Sequence, residues 1–261
     1  MERPDPDAIS MIAHEMADAA RVATLRHFRT LLQIDSKRDD FDPVTVADRE
    51  AEAEMRAVLA RLRPEDGILG EEAAAVSGTS GLTWVLDPID GTRGFISGTP
   101  TWGVLIALRD ARRVLYGMID QPFTGERFEG GAGSARWSRG DEARVLATSA
   151  TEALAEATIL TTFPEVGTSA EAAAFRRVAD ACRLTRYGLD CYGYALLAAG
   201  HVDLVVEAGL QPYDISGPIG VVEAAGGIVT AWDGGPALDG GTAVAAATPA
   251  LHAAALERLN G

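Results

Sequence analysis

Between residues 157 and 259 short apolar runs alternate with amphipathic ones. The pattern reads strand over 157–162, helix over 170–182, strand over 184–187, helix over 190–199, strand over 202–207, helix over 214–225, strand over 227–231 and helix over 249–259. Such alternation lays helices over a sheet, so this stretch reads as an α/β half. The residues before it differ. Ile9, Ile12, Met16, Ala20, Ala23 and Phe28 share a face of an amphipathic helix over 7–32. A second helix opens near Val46, where Thr45 and Asp48 form a T-x-x-D start signal, and Pro64 closes it. The small residues 73–81 read as a loop, and 82–86, 102–108 and 114–119 as strands, until the glycines of Glu129–Gly133 break the pattern. The expected organisation is an α+β half over 1–142 and an α/β half over 143–261, without internal repeats.

A chain of 261 residues buries a full core as one large domain or two small ones. Its 38 Asp+Glu against 23 Lys+Arg leave a net charge of −15, which argues against nucleic acid or an anionic membrane as partner. Cys182 and Cys191 are the only cysteines and form no CxxC pair, so neither a disulfide scaffold nor a thiolate metal site is expected. His14, His27, His201 and His252 lack metal-ligand spacing, which leaves oxygen donors and hence Mg²⁺ or Mn²⁺. The single lysine, Lys37, lies in the polar run 35–40, and no P-loop is present. A charged N-terminus and the lack of any apolar run near ~18 residues make a cytoplasmic protein the expectation.

The densest signal is Trp84-Val-Leu-Asp-Pro-Ile-Asp-Gly-Thr92. An apolar strand ends at Asp87, Pro88 fixes the backbone, and Asp90 follows ahead of Gly91-Thr92. Two carboxylates at a strand end beside free amides suit hard cations next to an anion, the arrangement that phosphate ester hydrolysis needs. An acidic turn that merely ends a strand reads the same way. Upstream, Gly70-Glu71-Glu72 is either a second acidic contributor or a solvated turn. Downstream, Asp214 in Gln211-Pro-Tyr-Asp214 reads as the N-cap of the next helix, a role compatible with holding a cation.

Taken in order, Gly70-Glu-Glu72, Asp87-Pro-Ile-Asp-Gly-Thr92 and Tyr213-Asp-Ile-Ser-Gly217 through Glu223-Ala-Ala-Gly-Gly227 resemble the inositol monophosphatase family of Mg²⁺-dependent phosphatases. The resemblance spans nearly the whole chain; Tyr213 stands where the inositol enzymes usually carry Trp. It implies an α+β / α/β fold, an alternating αβαβα layered sandwich with the site between the halves, and a homodimer. It also implies that Glu71, Asp87 and the Ile89 carbonyl hold a first Mg²⁺ and that Asp87, Asp90 and Asp214 hold a second. The resemblance further implies a third, weaker ion near Glu71 and a site in which Mn²⁺ can substitute. Glu71 and Thr92 then orient a metal-activated water for in-line attack, and the Gly91 and Thr92 amides bind phosphate. Asp48 is open between an outer role at this centre and a helix cap.

The flank Thr92-Arg-Gly-Phe-Ile-Ser-Gly-Thr-Pro-Thr-Trp-Gly103 looks like the histidinol-phosphate phosphatase branch, as do Tyr187-Gly-Leu-Asp190-Cys-Tyr192 and Val206-Glu-Ala-Gly-Leu-Gln-Pro-Tyr-Asp214. Gly94 departs from the expected Ala. The substrate implied is L-histidinol phosphate, whose ammonium would pair with Asp190 and Glu207. Asp190 is equally readable as the N-cap of helix 191–199. Arg93 is open between phosphate, the acidic cluster and solvent, and Trp102 between pocket and core. His201 and the two cysteines read as structural. Inositol 1-phosphate, another sugar phosphate or a 3′-phosphonucleotide would use the same chemistry, and a non-catalytic regulatory protein is the reading from another class.

Overall fold

The computed structural model describes residues 5–31, 35–36 and 43–261, with backbone alone at 35–36 and 43–44. Lys37 lies outside the described residues, and the first helix stops at His27, with Phe28 as its C-cap, short of the expected end at residue 32. Helix α1 (Pro6–His27) starts where Asp5 accepts a hydrogen bond from the Asp7 amide, with Pro6 pre-setting the first turn. Two short strands, β1 (Asp35–Ser36) and β2 (Pro43–Val44), pair antiparallel. Helix α2 (Val46–Leu62) opens on the expected Thr45–Asp48 capping box, so Asp48 serves as a cap: its Oδ2 accepts from the Thr45 amide at 2.8 Å and hydroxyl at 2.7 Å.

A seven-stranded sheet follows in sequence order: β3 (Gly67–Gly70), β4 (Thr83–Asp90), β5 (Gly103–Arg109), β6 (Val114–Gln121), β7 (Glu126–Gly131), β8 (Ser134–Arg139) and β9 (Glu142–Val145). Only the β3–β4 pair is parallel. The short helix α3 (Thr92–Ser97) leaves the end of β4. A second sheet contains β10 (Thr158–Thr161), β11 (Leu184–Tyr187), β12 (Leu204–Leu210), β13 (Ile228–Thr230) and β14 (Gly241–Ala246), in the spatial order β11-β10-β12-β14-β13. Helices α4 (Ser169–Ala179), α5 (Asp190–Ala198), α6 (Pro212–Ala224) and α7 (Pro249–Asn260) complete the chain. The strand β9 carries the chain across residue 142.

Three cores set the layers. Met16, Ala20, Met55 and Leu59 of α1 and α2 pack on Trp84, Leu86, Ile106 and Met118 of the first sheet. Tyr194, Leu197, Ile215 and Val222 of α5 and α6 fill the space between Leu105, Ile119 and Phe128 on one sheet and Val205 and Ala245 on the other. Phe175, Val178, Leu251 and Ala255 of α4 and α7 cover the outer face of the second sheet. The result is the αβαβα sandwich that the resemblance implies. Among the described residues no helix is long and apolar enough to cross a membrane.

The break expected at Glu129–Gly133 is confined to its last two residues. Glu126–Gly131 is strand, and the turn is the two-residue Ala132-Gly133 with φ of 52° and 80°. Gly130 serves packing instead: a Cβ there would fall 2.5 Å from the Gly220 carbonyl oxygen of α6. Strands β3 and β14 also escaped the sequence reading. The first has only four residues, and the second is Gly-Thr-Ala-Val-Ala-Ala, in which Thr242 and Val244 alone favour a strand.

Candidate active site

Asp87 and Asp90 are three apart, and in a regular strand such residues point to opposite faces. Here the register slips. Asp87 pairs with Leu105 and Asp90 with Gly103, so three steps on β4 match two on β5. This bulge, at a proline without an amide to pair, turns both carboxylates the same way. Asp214 joins them from α6, and one ligand oxygen from each of the three lies within 4.8 Å of the others. The expected N-cap role of Asp214 is corrected: Gln211 is the cap, and Asp214 sits at the third position of α6, where its Oδ2 accepts from the Gln211 amide at 2.7 Å. A second bulge in β12, between Ala208 and Leu210, leads the chain into this turn.

Glu71 is outside the tight trio, but it hydrogen-bonds Asp87 and lines the same cleft. Its turn is held from below by a residue the sequence reading missed. Buried Glu52 of α2 accepts the amides of Glu72 at 2.7 Å and Ala73 at 3.0 Å, and its carboxylate lies where a Cβ on Gly70 would be. The signal was a glutamate on the apolar face of α2, between Ala51 and Met55.

Asp87 is 1% exposed; burial drives its carboxyl well above the ordinary range, and the charges of Glu71, Asp90 and Asp214 add to the rise. Asp90 is raised by burial, then by Asp190 and Asp214, against the Cys191 amide that donates to its Oδ2 at 2.7 Å. Among the described residues lining the cleft, Arg93 alone is a fixed cation. Crowded hard oxygen donors whose ionised forms repel one another fit a divalent cation of the Mg²⁺ or Mn²⁺ type. Beside the trio, Gly91 takes φ 83°, which frees the backbone to turn into α3, and the Thr92 hydroxyl donates to the Ile89 carbonyl at 3.2 Å.

Asp190 is also not the N-cap of its helix. It is the first residue of α5, at φ 45°, with Leu189 in the cap position. Its carboxyl lies over Gly91, where an added Cβ would fall 2.8 Å from Asp190 Cγ, and Thr101 donates to it at 3.5 Å, the outer limit of a hydrogen bond. Burial raises Asp190 to about 6, against the pull of Thr101 and the charge of Arg93. Glu207, in the middle of β12, is raised by burial to about 7 although Thr162 and Thr161 hydrogen-bond it. Arg93 stacks over the exposed ring of Phe163 at 4.9 Å. Phe163, Thr162 and Tyr194 line the cleft too, brought there by packing that no local pattern announces.

Trp102 belongs to the core, enclosed with Phe28 and Phe95. His201 is exposed in the turn before β12, Cys182 is half-buried, and Cys191 is buried against the site. The cleft has a volume of about 260 Å³ and is lined by all the expected site residues: Glu71, Asp87, Ile89, Asp90, Gly91, Thr92, Arg93, Asp190, Glu207 and Asp214.

The profile of the inositol monophosphatase family matches residues 5–260. The bifunctional phosphatase IMPL2 of the Arabidopsis thaliana chloroplast is 39% identical over 87% of this chain, which spans 65% of that relative's length. A histidinol-phosphatase of Chlorobaculum parvum is 35% identical over 92% of both chains. An inositol monophosphatase structure from Zymomonas mobilis superposes with a TM-score of 0.86 at 38% identity, covering 99% of this chain and all of that one. With the fold, the ordered motifs and the acidic cleft in agreement, this chain belongs to the inositol monophosphatase family, a family of metal-dependent phosphatases.

Proposed function

We propose that the chain is an Mg²⁺-dependent phosphatase that converts L-histidinol phosphate and water to L-histidinol and phosphate, working as a cytoplasmic homodimer. The observation that carries the substrate is the pairing of Asp190 and Glu207 in one cleft with the Asp87, Asp90 and Asp214 trio. A phosphate ester of a neutral polyol offers no charged donor to buried Glu207 or half-buried Asp190, whereas an ammonium on the leaving group pairs with both.

In this reading Glu71, Asp87 and the Ile89 carbonyl hold one ion, and Asp87, Asp90 and Asp214 a second. When bound, such ions offset the charge of the phosphate and acidify the attacking water. The Gly91 and Thr92 amides receive phosphate oxygens and fix the ester at the end of β4. The Glu71 carboxylate takes the proton from the water as its oxygen bonds to phosphorus in line with the breaking P–O bond, and Thr92 Oγ1 aligns that water. The leaving oxygen departs on the far side and takes a proton from solvent water as Glu71 returns its own to solvent; the alcohol is held by its ammonium between Asp190 and Glu207, while Arg93 and Phe163 bound the mouth of the cleft. Relatives named for histidinol phosphate support the substrate, and the Zymomonas mobilis neighbour, named an inositol monophosphatase, keeps an inositol phosphate as the alternative.

Asp190→Asn tests the substrate assignment, since Asn tolerates φ 45° and keeps an acceptor for Thr101. Loss of one charge-assisted contact should cut kcat/KM for L-histidinol phosphate roughly 10- to 100-fold and spare inositol 1-phosphate. Equal losses on both esters would count against the assignment.

A further inference from the structure

Tyr194 enters neither the metal cluster nor the phosphate turn, and no sequence motif marks it. It is 3% exposed, lies on α5 one turn after Asp190, and lines the cleft. Among the described residues its hydroxyl, fully enclosed, has no hydrogen-bond partner. A buried hydroxyl in that state costs roughly 1–3 kcal/mol, so a native protein keeps one where something else completes it. The charged groups that face it are Glu207, then Asp90 and Asp214, which places the phenol where the ion-holding and leaving-group sides of the cleft meet. Both oxygens of Glu207 already accept hydrogen bonds, Oε2 from Thr161 and Oε1 from Thr162.

We propose that the Tyr194 hydroxyl is a substrate-binding group that accepts a hydrogen bond from an amino group on the leaving alcohol, and so selects amino-alcohol phosphates over polyol phosphates. This rests on the reading of the cleft as a site for a cationic phosphate ester. A primary ammonium offers three N–H donors. Asp190 and Glu207 supply two acceptors, and a third carboxylate would add further like-charge repulsion to a crowded acidic site. A phenol supplies the third acceptor without charge.

Tyr194→Phe removes one oxygen and keeps the ring packed between the sheets. Two measurements on the full-length protein decide the matter: steady-state kinetics with L-histidinol phosphate and p-nitrophenyl phosphate at saturating Mg²⁺, and the melting temperature without substrate. KM for L-histidinol phosphate should rise roughly tenfold relative to KM for p-nitrophenyl phosphate, with the change in KM rather than kcat. The substrate-free melting temperature should hold or rise, because the hydroxyl has no partner to lose. Equal changes on both esters, no change in KM, or a clear drop in melting temperature would each overturn the proposal. If the unmutated enzyme prefers inositol 1-phosphate to L-histidinol phosphate, the substrate reading fails and this inference with it. If the unmutated enzyme prefers L-histidinol phosphate and the variant matches it, only the role of Tyr194 fails.

Discussion

At the residue level the site sets function against stability. Asp87 is held in a bulge, out of water, facing Glu71, Asp90 and Asp214, and every one of those neighbours opposes its ionised form. Asp87→Asn keeps the shape and the Oδ1 that accepts the Ile89 amide at 3.0 Å, and removes the repulsion. In EDTA this variant should therefore melt higher than the unmutated protein, by a few °C for about 1 kcal/mol. It should also lose the rise in melting temperature that Mg²⁺ produces by binding the folded state, together with at least roughly 100-fold of activity. Thermal melts with EDTA and with Mg²⁺ check this. A variant that melts lower in EDTA, or keeps the Mg²⁺ response, would contradict the placement of Asp87 at the centre of a cation site.

At the level of elements, α6 is pressed onto the first sheet by glycines on both sides. A Cβ on Gly220 would fall 2.5 Å from the Gly117 amide nitrogen, and one on Gly117 would fall 2.3 Å from the Gly217 carbonyl oxygen. Because α6 also carries Asp214, this close approach sets how far that carboxylate reaches toward β4. Gly220→Ala should cost about 1–3 kcal/mol or more, since backbone has to move, and should weaken Mg²⁺ binding as well. Chemical denaturation and Mg²⁺ titration would show it; an unperturbed variant would mean the helix has slack to give. The same glycines explain what the sequence hid. The long helices were legible because their apolar period is carried by many residues, as in Ile9 to Phe28. Gly130 and Gly131 looked like a turn because a glycine needed for contact 90 residues away has the same letter as one needed for a left-handed φ. Asp190 and Asp214 looked like caps because helix starts and anion sites use the same residue type; the structure moves both inside their helices, one and three positions past the cap.

On the scale of the whole molecule, the cleft forms where the C-terminal ends of β4, β10, β11 and β12 meet, with α5 and α6 wedged between the sheets. The first sheet brings the trio's two strand aspartates and the phosphate turn, and the second half brings Glu207 on β12 and Asp190 at the start of α5. Each half therefore holds an incomplete site. What lay along one strand, from Asp87 to Thr92, was readable as chemistry from the sequence. Glu52, Phe163 and Tyr194 were not, because their roles arise only when α2 reaches the Glu71 turn and α5 is enclosed by both sheets. A net charge of −15 fits the proposed function: in that reading an anionic ester binds only where cations are gathered, and the carboxylates then select the charge of the leaving group.

The most direct measurement is phosphate release from L-histidinol phosphate and inositol 1-phosphate, side by side, with Mg²⁺ and with EDTA. A divalent-ion site beside paired carboxylates predicts a kcat/KM for L-histidinol phosphate at least roughly tenfold higher, and no release from either ester in EDTA. Release that persists in EDTA, or a preference for inositol 1-phosphate, would contradict it.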